Sequence, residues 1–269
     1  MSSGISSERL LQLFEIFLNE RASLPFEDWG VIDVRQYRVE LTQSTLHPYF
    51  GQAHDYLSEV VNSYNEFALR IIDLAAWRTV LDALDDEDEA MEVVHEFLGT
   101  LTFFCINQPY ALKNRFEFLS CHLCAIASQF LPDKEKIFFN EQQHFNRHDM
   151  IKRFVPQWEH FKALICVLSI VDGREFRTAL GNARDRLHHR SRREVGFFYR
   201  TRMRMGQKSD LWSWAIDEEN PLPLTKLLDA SIAQRALLHK AMIEFRNLAL
   251  QQSDALQAFI DSFSTREPS

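Results

Sequence analysis

The stretch HDYLSEVVNSYNEFALRIIDLAAWRTVLDAL, residues 54 to 84, repeats apolar residues at helical spacing along its whole length. Such a stripe covers one side of a long helix and has to be buried against other helices. Composition agrees. The 8 Gly and 8 Pro in 269 residues leave few turn residues for a many-stranded fold, since the two together average roughly 12% of ordinary chains. With 46% hydrophobic residues, the chain can bury a sizeable core, as one large domain or as two small ones sharing an interface.

Toward the N-terminus, Leu10, Leu11, Phe14, Phe17 and Leu18 share one helical face and predict a helix over 7–21, with Ser6 or Ser7 as its cap. This start lacks the basic, apolar and small-residue order of a secretory signal, which points to a cytoplasmic protein. Between the two helices, residues 22–50 lose the period and contain Pro25, Gly30 and Pro48. They read as an arm with one short strand in VIDVRQYRVEL.

Toward the C-terminus the pattern predicts helices over 87–106 and from Pro109 to 131, with the proline in a first turn. The run VVHEFLGTLTFFCINQ is interrupted by His95 and Glu96 and falls short of the ~20 residues a bilayer span needs, so it reads as a buried helix and no membrane partner is expected. A connector follows, then a helix from near Asn146 or Asp149 that carries Phe154, Trp158, Phe161, Leu164, Ile165 and Leu168 and that Pro156 bends or divides. Gly173 separates it from a basic helix starting at Arg174, whose buried face is Phe176, Leu180, Ala183 and Leu187. After Met205, GQKSDLWSWAIDEENPLPL reads as a loop, and helices over 222–250 and 253–264 close the chain. The expected fold is an all-α helical bundle: an N-terminal helical extension (1–108), a core (109–205), and a loop with C-terminal helices packing on it (206–269).

Charge is distributed unevenly. Residues 174–208 hold eleven Lys/Arg and three acids, so this segment is near +8 while the remaining chain is near −16, giving the net −8. A basic patch on an acidic protein suits an anionic partner, with nucleic acid first in line. The competing assignment pairs this segment with the acidic DALDDEDEAMEVVHE, residues 82–96, within the protein or across a dimer.

Most standard chemistries find no motif. Neither a GxSxG elbow nor a phosphate-cradling GxxxxGK[ST] or GxGxxG loop occurs. Cys121 and Cys124 form a CxxC without two further ligands at zinc spacing, and Cys105 and Cys166 stand alone in apolar helical contexts, so all four read as reduced core cysteines. Glu92–His95 and Glu141–His144 are two ExxH pairs, the spacing that di-metal bundles use on facing helices, but about one such pair is expected by chance. A ferritin-like metal protein is therefore the remotest of three readings, and no metal or cofactor is expected.

The remaining feature is GNARDRLHHRSRRE, residues 181–194, in which Arg184 and His189 form R-x4-H with Asp185 directly after the arginine. This resembles the signature of the HEPN superfamily, R-x4-6-H with Asn, Asp or His commonly following the arginine. Arg115 and His122 also satisfy the bare spacing, but the apolar Phe116 follows that arginine. The resemblance covers motif and architecture over about residues 109–205. It implies an α-helical core found in toxin–antitoxin, abortive-infection and CRISPR systems, with metal-independent RNase activity in many members. HepT-like toxins extend the motif to R-x4-H-x-Y; here Ser191 stands where the tyrosine would be, against HepT-like nucleotidyl modification.

Metal-free RNA cleavage needs a proton taken from the 2′-OH, one given to the leaving oxygen, and stabilised charge on the phosphorane. Histidine serves the first two needs and an arginine fork the third. The resemblance makes His189 the acid/base and Arg184 the phosphate-binding group. Asp185 orients one of them, and His188 assists or binds phosphate. Asn182, Arg186, Arg190, Arg192 and Arg193 form an RNA-binding rim, while Phe197, Phe198 and Tyr199 either stack on bases or belong to the core. On one continuous helix His189 points about 140° from Arg184. HEPN sites resolve this by facing motifs across a homodimer. The expected partners are RNA, a second copy of the chain, and an antitoxin or other regulatory protein. The alternative is a catalytically silent HEPN-like module that binds RNA, a nucleotide or a protein through the basic helix.

Overall fold

The computed structural model describes residues 5–26, 29–37, 47–136, 147–185, 200–208, 211–219 and 221–264. The architecture is all-α, helix packed on helix, with one two-stranded hairpin. Its elements are α1 (Ser7–Ser23), a 3-10 turn (Val34–Tyr37), α2 (His47–Asp82), α3 (Glu87–Val93), a π-helical turn (Val94–Leu98), α4 (Gly99–Phe130), α5 (Arg147–Phe154), α6 (Glu159–Ile170), α7 (Arg174–Ala179), strands β1 (Arg200–Lys208) and β2 (Leu211–Glu219), and α8 (Leu224–Ser264). None of the helices is long and apolar enough to cross a membrane, among the described residues.

Contacts gather the chain into two units. The first comprises Met1–Gly30, Phe67–Gln108 and Arg174–Ala233. Here α1 starts at Ser6, whose hydroxyl accepts from Arg9 N at 3.2 Å, satisfying one of the orphan amides of the first turn. It buries Leu13 and Phe17. Phe17 stacks on Trp77 of α2 at 4.4 Å and 10°, and Phe97 covers the other face of the indole at 4.6 Å and 16°. Phe97 comes from the π-helical turn, where the wider turn changes the angular sequence of side chains along the helix. Every residue from Ile71 to Trp77 is buried, including Asp73. That carboxylate is matched by Arg21 at 2.5 Å and Arg70 at 3.1 Å, as a buried charge requires.

The second unit comprises Val31–Glu66, Pro109–Gly173 and Gln234–Ser269. Phe116 meets Phe245 edge-on at 5.8 Å, and Phe154 meets Phe161 likewise at 5.9 Å. Tyr49 donates its buried hydroxyl to Gln252 Oε1 at 2.8 Å, and Gln252 Nε2 donates to Cys124 Sγ at 3.2 Å. Lys136 closes the end of α4, donating to the carbonyls of Ser128, Gln129 and Leu131 at 2.7, 2.9 and 2.7 Å, groups that have no partner within the helix.

Several sequence expectations are met: the Ser6 cap, the division at Pro156 between α5 and α6, and the break at Gly173. A Cβ on Gly173 would lie 2.6 Å from the Ile170 carbonyl oxygen, so this position needs glycine. Others are corrected. In place of a strand over 31–41, the described part folds into a 3-10 turn, because the Asp33 carboxylate accepts from Arg35 N at 2.9 Å and closes an Asx turn. Pro109 does not begin a helix; α4 runs through it. Burial of Cys105 and Ile106 before it and of Leu112 and Phe116 after it holds both sides in one helix despite the lost hydrogen bond. The two C-terminal helices are one, since Gln252 and Leu256 continue the buried stripe of Phe245, Leu248 and Ala249. The expected loop after Met205 belongs to an antiparallel hairpin that begins at Arg200, with Arg200 opposite Glu219, Met203 opposite Ile216 and Lys208 opposite Leu211. The strand period was present in the sequence: Arg200, Arg202 and Arg204 alternate with Thr201, Met203 and Met205.

Candidate functional site

The R-x4-H motif follows α7, and the chain there differs from the expected continuous helix. Gly181 and Asn182 both adopt the left-handed conformation, with φ of 58° and 55°. Asn182 N donates to Arg177 O at 2.7 Å and Gly181 N to Thr178 O at 3.0 Å, so the turn satisfies the last carbonyls of α7. Glycine and asparagine are the residues that tolerate this conformation, and the Gly-Asn pair was a legible helix stop. Phe176, Leu180 and Ala183 are buried as expected, but a turn intervenes between them. The turn lies before Arg184, and His189 lies outside the described residues, so the turn divides the helix ahead of the motif and bears on no angle within it.

Arg184 and Asp185 lie directly after the turn. The Arg184 side chain is only 16% exposed, against 51% for Asp185, and its Nη2 stands 3.4 Å from Asp185 Oδ1, the long end of a hydrogen bond. Arg186, His188, His189, Arg190, Arg192 and Arg193, together with Leu187, Phe197, Phe198 and Tyr199, lie outside the described residues. The basic segment and the acidic stretch 82–96 both belong to the first unit.

The other candidates separate by burial. Cys105, Cys121 and Cys124 are buried free thiols, whereas Cys166 is exposed, which corrects its assignment to the core. Burial pushes the Cys105 thiol up to about 12, with Asp73 adding to the shift, and raises Cys124 well above the ordinary range. Thiols so disfavoured as thiolates are poor nucleophiles and poor metal ligands. His95 is exposed at the π-helical turn and Glu92 is half-buried beside it; Glu141 and His144 lie outside the described residues. Among the described residues, no three His, Cys, Asp or Glu side chains are grouped closely enough to hold a metal ion.

A second polar cluster contains Arg115 and His122, the pair set aside in the sequence because Phe116 follows the arginine, together with α2 residues that no sequence signal picked out. On α2, Tyr56, Glu59 and Ser63 recur at i, i+3 and i+7, and on α4, Arg115, Phe118 and His122 do the same. The two rows meet in antiparallel order. Tyr56 and His122 share a 2.5 Å hydrogen bond through the phenol and Nδ1, while Arg115 donates through Nη1 to Ser63 Oγ at 2.5 Å and pairs through Nε with Glu59 Oε1 at 3.2 Å. These partners lie 66 and 52 residues apart for the two hydrogen bonds, beyond the reach of any local motif. Comparison with protein-family models, characterised proteins and solved structures finds no match to the chain.

Proposed function

We propose that this chain is a HEPN-type RNA-binding protein that cleaves RNA without a metal ion, acting in the cytoplasm as a homodimer in prokaryotic defence or as a toxin restrained by an antitoxin. The observation that carries the reading is the concentration of charge around the motif. A segment near +8 sits in a chain of net −8, and the R-x4-H lies inside it. RNA phosphates would be drawn to that segment by counterion release. Arg184 would neutralise the phosphorane and His189 would move the protons, with Asp185 holding Arg184 and His188 assisting.

The silent-module reading has one observation in its favour. Arg184 is largely covered and directed to its neighbour Asp185, an arrangement that also suits a structural ion pair. One experiment separates the two: incubation of a mixed RNA pool with wild-type protein and with His189→Ala, EDTA present throughout. Cleavage by wild type alone supports the nuclease and places His189 in its mechanism. Salt-sensitive RNA binding without product supports the silent module, and absence of both refutes the RNA reading.

A further inference from the structure

From the register of the β1–β2 hairpin we infer a binding strip for single-stranded RNA on its outer half, made by Arg204 and Lys208. The inference rests on the RNA reading proposed above and names where, beyond the R-x4-H motif, the strand is held. In an antiparallel ladder directly opposite residues share a face, and every second residue along a strand returns to it. The pairing therefore divides the hairpin in two. One face takes Met203 with Ile216 and Met205 with Trp214. The other takes the basic residues of β1: Arg200 opposite Glu219, Arg202 opposite Asp217, Arg204 opposite Ala215 and Lys208 opposite Leu211. Ladders of this pattern commonly keep the apolar face for packing and leave the charged one to water.

Charge is unevenly spread along the basic face. At the base of the hairpin Arg200 and Arg202 stand opposite acids, the pairing that stabilises a ladder from within. Toward the tip Arg204 and Lys208 stand opposite uncharged residues, and Gly206 between them stands opposite Ser213. Four basic residues and two acids leave this face at +2, and the register assigns that surplus to the outer half. Positions four residues apart on a strand are separated by about 14 Å, too far to share one phosphate, so Arg204 and Lys208 suit two phosphates of one strand. The ribbon also selects the form of the nucleic acid. A two-stranded ribbon fits the wide major groove of B-DNA, whereas the major groove of an RNA duplex is too deep and narrow to be read. An RNA ligand on this strip is therefore single-stranded.

The test is binding of the full-length chain to a 2′-O-methyl oligouridylate, which lacks the attacking 2′-OH and stays intact, followed by fluorescence anisotropy over a salt series. A DNA duplex is the second ligand, and circular dichroism confirms that each variant folds. Each phosphate contact on a single strand contributes about 0.7 to the slope of log affinity against log salt. Arg204→Gln and Lys208→Gln are each expected to make the slope shallower by about 0.7, and together by about 1.4, whereas Arg200→Gln and Arg202→Gln leave it unchanged. Ala215→Glu, which sets an acid opposite Arg204, is expected to act like Arg204→Gln. Gln207→Glu makes the same charge change on the other face and should leave the slope as it is. The inference is overturned if the Arg204→Gln/Lys208→Gln variant keeps the wild-type slope, or if Arg200→Gln and Arg202→Gln lower it equally. It is also overturned if Gln207→Glu acts as strongly as Ala215→Glu, or if the DNA duplex binds more tightly than the oligouridylate. Absence of binding by wild type would overturn the RNA reading along with it. A slope unchanged in the hairpin variants but shallower in Arg190→Gln and Arg192→Gln would overturn the hairpin strip and leave the RNA reading intact.

Discussion

Replacing Trp77 by alanine is the sharpest probe of how the first unit is held together. The indole is 3% exposed and covered on both faces, by Phe17 at 4.4 Å and Phe97 at 4.6 Å, with both rings within 16° of parallel. Truncating a buried tryptophan costs about 3–5 kcal/mol in transfer and cavity terms. Each stacked aromatic pair adds roughly 0.5–1.5 kcal/mol beyond its area. With two such pairs lost, the expected cost is at the upper end, about 5 kcal/mol. Urea unfolding followed by far-UV circular dichroism would measure it, read from the transition that moves, since a chain with two units need not unfold in one step. A double-mutant cycle with Phe97→Leu then isolates the contact made by the π-helical turn. A loss below about 2 kcal/mol for Trp77→Ala, or additivity within about 0.3 kcal/mol in the cycle, would refute the reading that the Phe17–Trp77–Phe97 stack holds this unit together.

Gly173→Ala should destabilise by about 1–3 kcal/mol, because the new methyl would meet a backbone carbonyl oxygen at 2.6 Å; an unchanged urea midpoint would disprove it. In the native protein a thiol reagent should label Cys166 quickly, and Cys105, Cys121 and Cys124 only on unfolding, as counted by mass spectrometry of labelled peptides. Burial, and then the Arg235 charge, hold the His239 imidazole below its ordinary range, so the folded state resists its protonation. The unfolded chain therefore binds the proton more readily. Stability present above about pH 6.5 should be lost as pH falls through the folded-state value, and melting curves between neutral and mildly acidic pH should flatten in His239→Gln. An equal or steeper fall in that variant would contradict the assignment.

How far local sequence reaches is clear from particular residues. Ser6 announced the start of α1, Pro156 the division between α5 and α6, and Gly173 the break after α6, because each acts through its own backbone chemistry within a few residues. The R-x4-H motif and the charge around it were equally visible, being matters of spacing and composition. The Gly181–Asn182 stop and the two-residue alternation of Arg200–Met205 were visible too, but competed with a helical stripe through Phe176, Leu180 and Ala183 that the turn also buries. Elsewhere local signals were outvoted. The roughly 3 kcal/mol that proline costs a helix would have ended α4 at Pro109, yet buried side chains of about 1.5–3 kcal/mol each lie on both sides of it. The Tyr56–His122 and Arg115–Ser63 contacts join positions 66 and 52 residues apart, and no spacing rule along one strand of chain encodes them. The sequence by itself determined the all-α class, the helix boundaries at Ser6, Pro156 and Gly173, and the uneven charge. Only the tertiary structure decided which helices run on unbroken, where Trp77 finds its two partners, and which polar side chains meet across the α2–α4 seam, because these depend on surfaces that come together only when the chain packs.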